Sequence, residues 1–361
     1  MTSKSNRNPI LMLSITSKYL KKLEKKPRYM EKPNIVNVYD INHAHFKEAQ
    51  SLRYVFTEPL TNEYPLNLNG EYKPLIKYEP ETQLGLLKPL LYNYFGDRNK
   101  ENISKGNEND KLINVFTRRG ILEQIMEFPY RRNDINVLIS RYNGQIFIIQ
   151  QQLTEKMFNI NQGNSHYTRL CELLLKDVSE DPTTWNDENI FQVAVYEATI
   201  EKFKLHYIGR AHAIKETEGT KNYLKDLCMG SMVSIKQMWI NIKDKDEKYL
   251  KYWLQAYLSN VQQIYLAIKD TNAMVTSPIQ CLHTCEIPKM CTSWKPNICT
   301  TFLNNFLEHV ERVMSRVNSL DTVFQVRFDA KNKTVHYVRF EGKTDKTFIA
   351  KEFSELNIEA P

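Results

Sequence analysis

The sequence predicts a mixed α/β fold, because strand-like and helix-like segments alternate along it. Short runs that alternate polar and apolar residues are typical of half-buried strands, and other runs have the apolar spacing of amphipathic helices. The chain has 361 residues, of which 42% are hydrophobic, so it is long enough to bury a large core. We therefore expect a folded mixed α/β protein, with one large domain or two smaller ones.

The first predicted elements lie between residues 119 and 203. Arg119–Phe128 has helical spacing, and Asn136–Gln150 contains two β-rich runs joined through an Asn-Gly dipeptide, which is typical of a type I′ hairpin turn. His166–Asp177 is predicted as a helix with its leucines on one side. Phe191–Phe203 is rich in β-branched and aromatic residues, and its pattern fits either a strand or a helix.

The most informative runs come next, His206–Ile214 and Met232–Ile240, and both alternate polar and apolar residues as strands do. The rest of the chain is predicted to contain two helices, Glu247–Val261 and Thr300–Val317, with the strand Gln263–Ile268 between them. A terminal hairpin of Val323–Phe328 and Thr334–Phe340 follows.

The predicted domain covers residues 33–345. Before it, residues 1–32 are polar and basic, with five lysines close together at Lys18, Lys21, Lys22, Lys25 and Lys26. These lysines fit an RNA-binding or nuclear-import patch, but a mobile, solvated segment is the simpler expectation. Residues 97–111 are predicted as a polar surface loop, and residues 346–361 as a C-terminal tail.

The composition narrows the class of protein. A formal net charge of +7 is compatible with nucleic-acid binding without being diagnostic of it. No run approaches the roughly 18 apolar residues that a membrane span needs, and the N-terminus lacks the pattern of a secretory signal. Six cysteines in a chain of this length do not form a disulfide framework, so we expect a reducing compartment, the cytosol or the nucleus.

The two informative strands predict a functional site. If they pair, one face presents Arg210 and His212 from the first and Ser234 and Lys236 from the second. Paired strands that offer side chains at i and i+2 resemble the platform on which many nucleases hold Mg²⁺, an ion that prefers carboxylate oxygens. None of these four side chains is a carboxylate, so the platform is predicted without its acids.

Other constellations in the sequence are weaker. Four cysteines and one histidine form a loose cluster: Cys281, His283, Cys285, Cys291 and Cys299. Only one pair in the cluster comes near the spacing of zinc ligands, so we favour buried structural cysteines over a zinc site. The sequence contains no Gly-rich phosphate loop, no HExxH and no G-x-S-x-G motif.

Several segments together resemble the DXO family of RNA 5′-end decapping enzymes and exonucleases. The resemblance runs from about Asn34 to Val317 and is strongest at Tyr249–Leu258, next to a W-x-P-x-x-C element that begins at Trp294. The resemblance depends on the order and spacing of the similar segments. The other similar segments are Ala49–Tyr54, Tyr64–Gly70, Arg118–Gly120, Pro129–Arg131 and Ile139–Gly144. It implies the fold of that family, a single large α/β domain with mixed β-sheets forming a central cleft flanked by helices.

The resemblance also implies site residues. It assigns the arginine of an R-G step to Arg119, the lysine of an E-x-K strand to Lys236 and a helical glutamine to Gln255. The metal-binding acids of the family are replaced, and their positions fall at Arg210, His212, Ser234 and Cys171, or at Leu170 in place of Cys171 in a shifted alignment.

These replacements imply a pocket with no metal and no cofactor. Arginine and lysine bind phosphate without a metal, so the candidate site for an RNA 5′ phosphate consists of Arg119, Arg210, His212, Lys236 and Gln255. A silent pocket, in which Arg210 pairs internally with an acid, fits the same residues equally well. A divergent enzyme is a further alternative, with ligands relocated to Glu172, Glu197 or Glu216.

Among the family, the sequence is most similar to a catalytically inactive member from the insect germline. That similarity implies a nuclear pseudoenzyme that shields the 5′ ends of nascent piRNA-precursor transcripts and suppresses transcription termination. It also implies a complex with the heterochromatin protein Rhino and the adaptor Deadlock, RNA as a ligand, and no membrane. A scaffold whose pocket binds nothing is the remaining alternative.

Overall fold

The computed structural model of the chain describes residues 8–42, 45–69, 87–96, 112–151, 162–178, 191–215 and 232–356. The predicted surface loop 97–111 lies outside these ranges. The described helices are α1 (Ser17–Lys25), α2 (Leu87–Phe95), α3 (Arg119–Glu127), α4 (Gln162–Leu174), α5 (Lys245–Tyr257), α6 (Pro296–Val313) and α7 (Ile349–Glu355). None of these is long and apolar enough to span a membrane.

The described strands are β1 (Ile10–Ser14), β2 (Asn34–Asn42), β3 (His45–Ala49), β4 (Tyr54–Phe56), β5 (Leu66–Asn67), β6 (Ile113–Arg118), β7 (Ile135–Tyr142), β8 (Gln145–Gln150), β9 (Leu175–Asp177), β10 (Phe191–Ile200), β11 (Phe203–Arg210), β12 (Ala213–Lys215), β13 (Met232–Trp239), β14 (Gln263–Lys269), β15 (Met274–Val275), β16 (Gln280–His283), β17 (Ser319–Asp329) and β18 (Thr334–Phe340).

Two mixed sheets organise the domain, as the α/β prediction requires. The larger has ten strands in the order β1-β18-β17-β7-β8-β6-β11-β10-β2-β3, and the smaller has six in the order β16-β14-β13-β12-β4-β9. In the larger sheet β6 runs parallel to β8 and β11, and in the smaller one β13 runs parallel to β14. A short ribbon of β15 and β5 completes the set.

Apolar clusters stack these elements in layers. The largest cluster lies between the two sheets and contains the buried faces of α3, α5 and α6. A second covers the outer face of the ten-stranded sheet with α2 and α7, and a third covers the outer face of the six-stranded sheet with α4. The space between the sheets is therefore filled by a packed apolar core that includes α3 and α5.

The hairpin at the centre of the larger sheet is confirmed. Strands β7 and β8 pair in antiparallel register up to Tyr142 and Gln145. The two residues between them, Asn143 and Gly144, have φ angles of 45° and 75°. Two consecutive positive φ angles define a type I′ turn, which an Asn-Gly pair adopts with little strain.

The prediction of a mobile N-terminal segment is wrong for its described residues. Strand β1 pairs with β18, and α1 lies against α6. Apolar residues between the basic ones are buried there, including Leu13, Ile15 and Leu23. The predicted C-terminal tail likewise contains α7, whose Phe353 is buried. In both segments a few buried apolar side chains outweigh a mainly polar composition.

Two further boundaries differ from the prediction. The run His206–Ile214 is not one strand, because β11 ends at Arg210 in the larger sheet and β12 begins at Ala213 in the smaller one. The helix predicted for His166–Asp177 ends at Leu174 and is followed by β9. Pattern alone cannot show that a chain changes sheets, since alternation continues through the crossing.

Candidate functional site

The site is built where two parallel strands end side by side. In the pairing of β6 with β11, Arg118 is opposite Ile208, so Arg119 at the start of α3 comes to lie over Gly209. A Cβ added to Gly209 would lie 2.9 Å from the Cβ of Arg119. Glycine at this position therefore permits the close approach that holds the arginine in place.

Arg119 is the most heavily engaged side chain of the site. Its Nε donates to Glu123 Oε1 at 3.2 Å, and its Nη1 donates to the Arg210 carbonyl oxygen at 3.0 Å and to Ser259 Oγ at 2.8 Å. The same Nη1 lies 3.0 Å from His212 Nε2. Because the guanidinium can only donate, His212 faces it as a neutral imidazole acceptor, and the two hydrogens of Nη1 are shared among these three acceptors.

Glu123 connects Arg119 to the other half of the site. Its second oxygen, Oε2, accepts a hydrogen bond from Gln255 Nε2 at 3.2 Å, and Gln255 Oε1 accepts from Lys236 Nζ at 2.6 Å. We call this chain of four residues, Arg119, Glu123, Gln255 and Lys236, the pocket network. It joins the start of α3 to the end of α5 and to the middle of β13.

Burial and mutual repulsion weaken the positive charge of the site. Burial, with the charge of Arg119 as a second cause, lowers the pKa of Lys236 to about 8. The same two causes, together with the charge of Lys236, hold the pKa of His212 well below its usual value. At neutral pH, Lys236 is therefore mostly charged and His212 is neutral.

The remaining predicted positions lie beside the network. The positive charges of Arg210 and Lys236 both act on the thiol of Cys171, which also hydrogen-bonds with the Tyr167 hydroxyl, although burial raises the pKa of the thiol. Ser234 is buried within β13. Arg210, by contrast, is exposed at the end of β11, so the two strands do not offer one common face as predicted.

The described residues do not fit a divalent metal ion. They contain no group of three or more His, Cys, Asp or Glu side chains that could hold one. Glu123 is the carboxylate of the pocket network, and its ion pair with Arg119 places a positive charge where a cation would bind.

The acids considered as relocated ligands are engaged elsewhere. Glu172 pairs with Arg169 on the surface of α4. Burial would raise the pKa of Glu197, but hydrogen bonds from His206 and Lys204 lower it to about 2, so this carboxylate is an ion-pair partner on β10. Glu216 lies outside the described residues.

Sequence reasoning missed two residues of the site. Glu123 stands four residues after Arg119 in a predicted helix, and opposite charges at this spacing are a recognised signal of contact. Ser259 follows the end of α5 and carries no such signal, because only the tertiary structure brings it to Arg119.

The cysteine cluster also differs in part from the prediction. Cys291 and Cys299 are buried, as expected of structural thiols, but Cys281 and Cys285 are exposed. No zinc-ligating group of three is found among the described residues.

Two curated relatives are similar in sequence to this chain, one over part of its length and one over most of it. Protein cutoff of Drosophila melanogaster is 30% identical over 105 residues, which are 29% of this chain and 27% of that protein. The decapping and exoribonuclease protein Rai1 of the same species is 20% identical over 340 residues, which are 86% of this chain and 88% of the relative.

Solved structures share the fold. A mutant Schizosaccharomyces pombe Rai1 with three glutamates replaced, in complex with 3′-FADP, has a TM-score of 0.64 at 17% identity over 87% of this chain and 95% of its own. Candida albicans Rai1 in complex with pU5 and Mn²⁺ has a TM-score of 0.61 at 14% identity over 97% of this chain and 99% of its own. A family model, described as RAI1-like PD-(D/E)XK nuclease, matches residues 32–354. The chain therefore belongs to the RAI1-like PD-(D/E)XK nuclease family.

Proposed function

We propose that this chain is a non-catalytic member of its family, which binds and shields RNA 5′ ends. The observation that carries the proposal is the donor set of the pocket. Hydrolysis in a metal-dependent nuclease requires carboxylates that hold the ions which activate water and stabilise the leaving oxygen. At the positions that the resemblance assigns to these acids, the chain has Cys171, Arg210, His212 and Ser234.

The geometry narrows the predicted phosphate site. Arg119 and Gln255 are engaged with neighbouring protein groups, and His212 is neutral. Lys236 uses one of its three donors on Gln255, which leaves two for a phosphate. Arg210 is exposed, and its charge and that of Lys236 both act on the Cys171 thiol, so these two are the cations on which we place the 5′ phosphate.

A family relative supports binding without the acids. The S. pombe Rai1 mutant was solved with 3′-FADP although three of its glutamates are replaced by serine or glutamine. A protein of this fold in which three glutamates are replaced therefore still binds a nucleotide. In the present chain serine also stands at the acid position of β13, at Ser234.

The proposal is tested by separating binding from turnover. Single-stranded RNA with a 5′ monophosphate, a 5′ triphosphate or a cap is incubated with the full chain and Mg²⁺ or Mn²⁺, and release of cap or nucleotides is measured. We expect no release, and tighter binding of 5′-phosphorylated than of 5′-hydroxyl RNA. Lys236→Ala and Arg210→Ala should each remove this preference, whereas Lys248→Ala, an exposed lysine on α5, should not. Metal-dependent turnover abolished by Glu123→Ala would overturn the proposal in favour of a divergent enzyme.

A silent scaffold is the second candidate, and the closed pocket network favours it. Because Arg119 already satisfies its charge with Glu123, the pocket is stable without a ligand. RNA binding that ignores both the 5′ group and the Arg210→Ala substitution would identify this scaffold.

We further propose that the protein acts in the nucleus with Rhino and Deadlock on piRNA-precursor transcripts. The partial match to Protein cutoff and the earlier resemblance support this role. Immunolocalisation in germline cells and co-precipitation with both partners test it. A protein confined to the cytoplasm, or one that retains neither partner, would contradict it.

A further inference from the structure

The positive charge of this protein is concentrated at one end of the sequence. Residues 1–32 contain nine of the 49 lysines and arginines and two of the 42 aspartates and glutamates. They therefore account for the whole formal net charge of +7, and the other 329 residues are neutral as a set. A charge asymmetry of this kind is a signal for interaction with a polyanion.

The structure shows that α1 presents this charge from a fixed position. Leu23 is buried, and Tyr19 and Leu20 pack on the core between the sheets. The Tyr19 hydroxyl accepts a hydrogen bond from Asn305 of α6 at 3.3 Å. Thr16 caps the start of the helix by accepting a hydrogen bond from the Tyr19 amide. The helix is therefore a rigid support and not a loose tail.

The outward face of α1 is a row of four lysines. The row is Lys18, Lys21, Lys22 and Lys25, at the i, i+3, i+4 and i+7 spacing of one helix face, and all four are exposed. We call them the lysine row. Within the described part of the chain none of them has an ion pair or a hydrogen bond from its side chain. Glu24, the acid of this helix, pairs instead with Lys295, the residue before α6.

The lysine row contributes little net stability to the fold. Like charges three or four residues apart on a helix destabilise it by roughly 0.2–0.5 kcal/mol per pair. The row contains two i,i+4 pairs and two i,i+3 pairs and has no acid among them. Lys22 and Lys25 stand in the last turn, where the helix dipole favours positive charge, and this offsets part of the repulsion. The stability of the helix alone therefore does not account for four adjacent lysines.

An exposed aromatic side chain follows the row. Tyr29 lies four residues after Lys25, and 69% of its surface is exposed, the largest fraction among the exposed large hydrophobic residues described. Lysines that follow a phosphate backbone beside an aromatic ring on which a base can stack are the two parts of a single-stranded nucleic-acid surface.

From these observations we infer that the lysine row and Tyr29 form a second RNA-binding surface, which holds the phosphate backbone of single-stranded RNA independently of its 5′ end. The exposed, unpaired lysines supply affinity through the release of counterions, which is insensitive to sequence. Tyr29 adds a preference for unpaired bases. This surface is separate from the pocket network, so it holds RNA whether or not the pocket does.

The experiment measures the salt dependence of binding to a 20-nucleotide single-stranded RNA with a 5′ hydroxyl, which gives the pocket no phosphate to recognise. In the full chain, Lys18, Lys21, Lys22 and Lys25 are all changed to glutamine. Since each lysine contributes about 0.7 to the slope of log K against log salt on single strands, we expect the slope to fall by about 3 and the affinity at least tenfold.

A matched control removes the same charge from other surfaces, by changing Lys47, Lys248, Lys331 and Lys343 to glutamine. We expect the control to retain most of the affinity, and an all-arginine version of the lysine row to bind as the native chain does. Tyr29→Ala should weaken binding to single-stranded RNA more than to duplex RNA. Circular dichroism establishes that each variant is folded.

Two outcomes would overturn the inference. One is a lysine-row variant that loses no more affinity or salt slope than the control variant. The other is a native chain that ignores the RNA but binds vesicles containing phosphatidylserine through the same lysines, which would assign the surface to a membrane. Failure of the 5′-phosphate preference alone would count against the pocket and leave this surface standing.

Discussion

The pocket network and the lysine row are both cationic, but their charges are arranged in opposite ways. In the pocket, Arg119 is only 12% exposed and makes contacts with Glu123, Arg210, His212 and Ser259. In the lysine row, the charges are exposed and without described partners. The difference separates two uses of positive charge. Buried, paired charge fixes the geometry of a site and is coupled to folding, whereas exposed charge attracts a polyanion and is nearly independent of folding.

The largest expected effect is on the stability of the fold, when the buried charge of Arg119 is removed. Arg119→Ala leaves Glu123 without its ion pair and several buried polar groups without a donor, so we expect the free energy of unfolding to fall by about 3–5 kcal/mol. Denaturant unfolding measures it. Arg132→Ala is the control, since Arg132 and its partner Asp244 are 70% and 52% exposed. Its cost should stay within about 1 kcal/mol, and an equal loss in the two variants would remove the distinction.

Gly209→Ala tests the close approach that seats Arg119. The new methyl group would meet the arginine side chain at 2.9–3.0 Å, so overpacking should cost about 1–3 kcal/mol in the free energy of unfolding. Gly120 is a matched glycine one residue after Arg119, and nothing lies within 4 Å of a Cβ added there. Gly120→Ala should be neutral or stabilise by up to about 1 kcal/mol, because alanine favours the helix. A harmless Gly209→Ala would show that Arg119 does not depend on this contact.

Lys236 makes the fold more stable as the pH rises, whereas a lysine in an ion pair with an acid does the opposite. Its folded pKa of about 8 lies below the unfolded value, so the protonated lysine destabilises the fold below pH 8, and this cost is relieved as the pH rises from about 8 to 10. We therefore expect Lys236→Met to raise the free energy of unfolding by about 1–2 kcal/mol at pH 7, and by less at pH 9.

The same substitution should abolish the 5′-phosphate preference, which in the native chain should decline as the pH passes 8. Lys248→Met is the control, because Lys248 is exposed. Unfolding midpoints and RNA affinities measured between pH 6 and pH 10 test both expectations. A destabilised Lys236→Met protein would show that Lys236 is a net stabiliser, and a preference that does not change with pH would show that the lysine does not bind the phosphate.

The smallest expected effect is that of the lysine row on stability. The four changes to glutamine remove repulsion on an exposed helix face but also two charges that favour the last turn, so the free energy of unfolding should change by no more than about 0.5–1 kcal/mol. Thermal unfolding of the variant used in the binding experiment measures it. A loss of several kcal/mol would show that the lysines serve α1 itself and would remove the contrast with the pocket.

The sequence predicted those parts of the fold whose signals are local. The hairpin was predictable because an Asn-Gly turn and two β-rich runs are enough to specify it. For the segment that forms β10, the sequence pattern fitted either a strand or a helix, and the structure has a strand. The crossing between β11 and β12 was not, since the polar and apolar alternation continues through Ala211 and His212 while the hydrogen-bond partners change. The order of α1 was missed because lysines dominate its composition, although Leu20 and Leu23 stand at helical spacing.

The candidate site was predictable to a similar degree. Arg119, Lys236 and Gln255 were singled out by resemblance, and the structure places them in one network. The partner that connects them, Glu123, was not predicted, because the resemblance assigns no role to this position of the helix. Arg210 was expected on a common face with Lys236, but it ends a strand of the other sheet.

The bridging position of Glu123 also constrains how this protein can diverge. Its two oxygens hold Arg119 on one side and Gln255 on the other, so the loss of any one member leaves a charge or amide of the remaining three without a partner. Substitutions within such a set are not additive, and a second change can repair the first. Descendants of this chain should therefore keep Arg119, Glu123, Gln255 and Lys236 together or exchange them in compensating pairs, while the exposed lysines of α1 drift singly as long as their number is preserved.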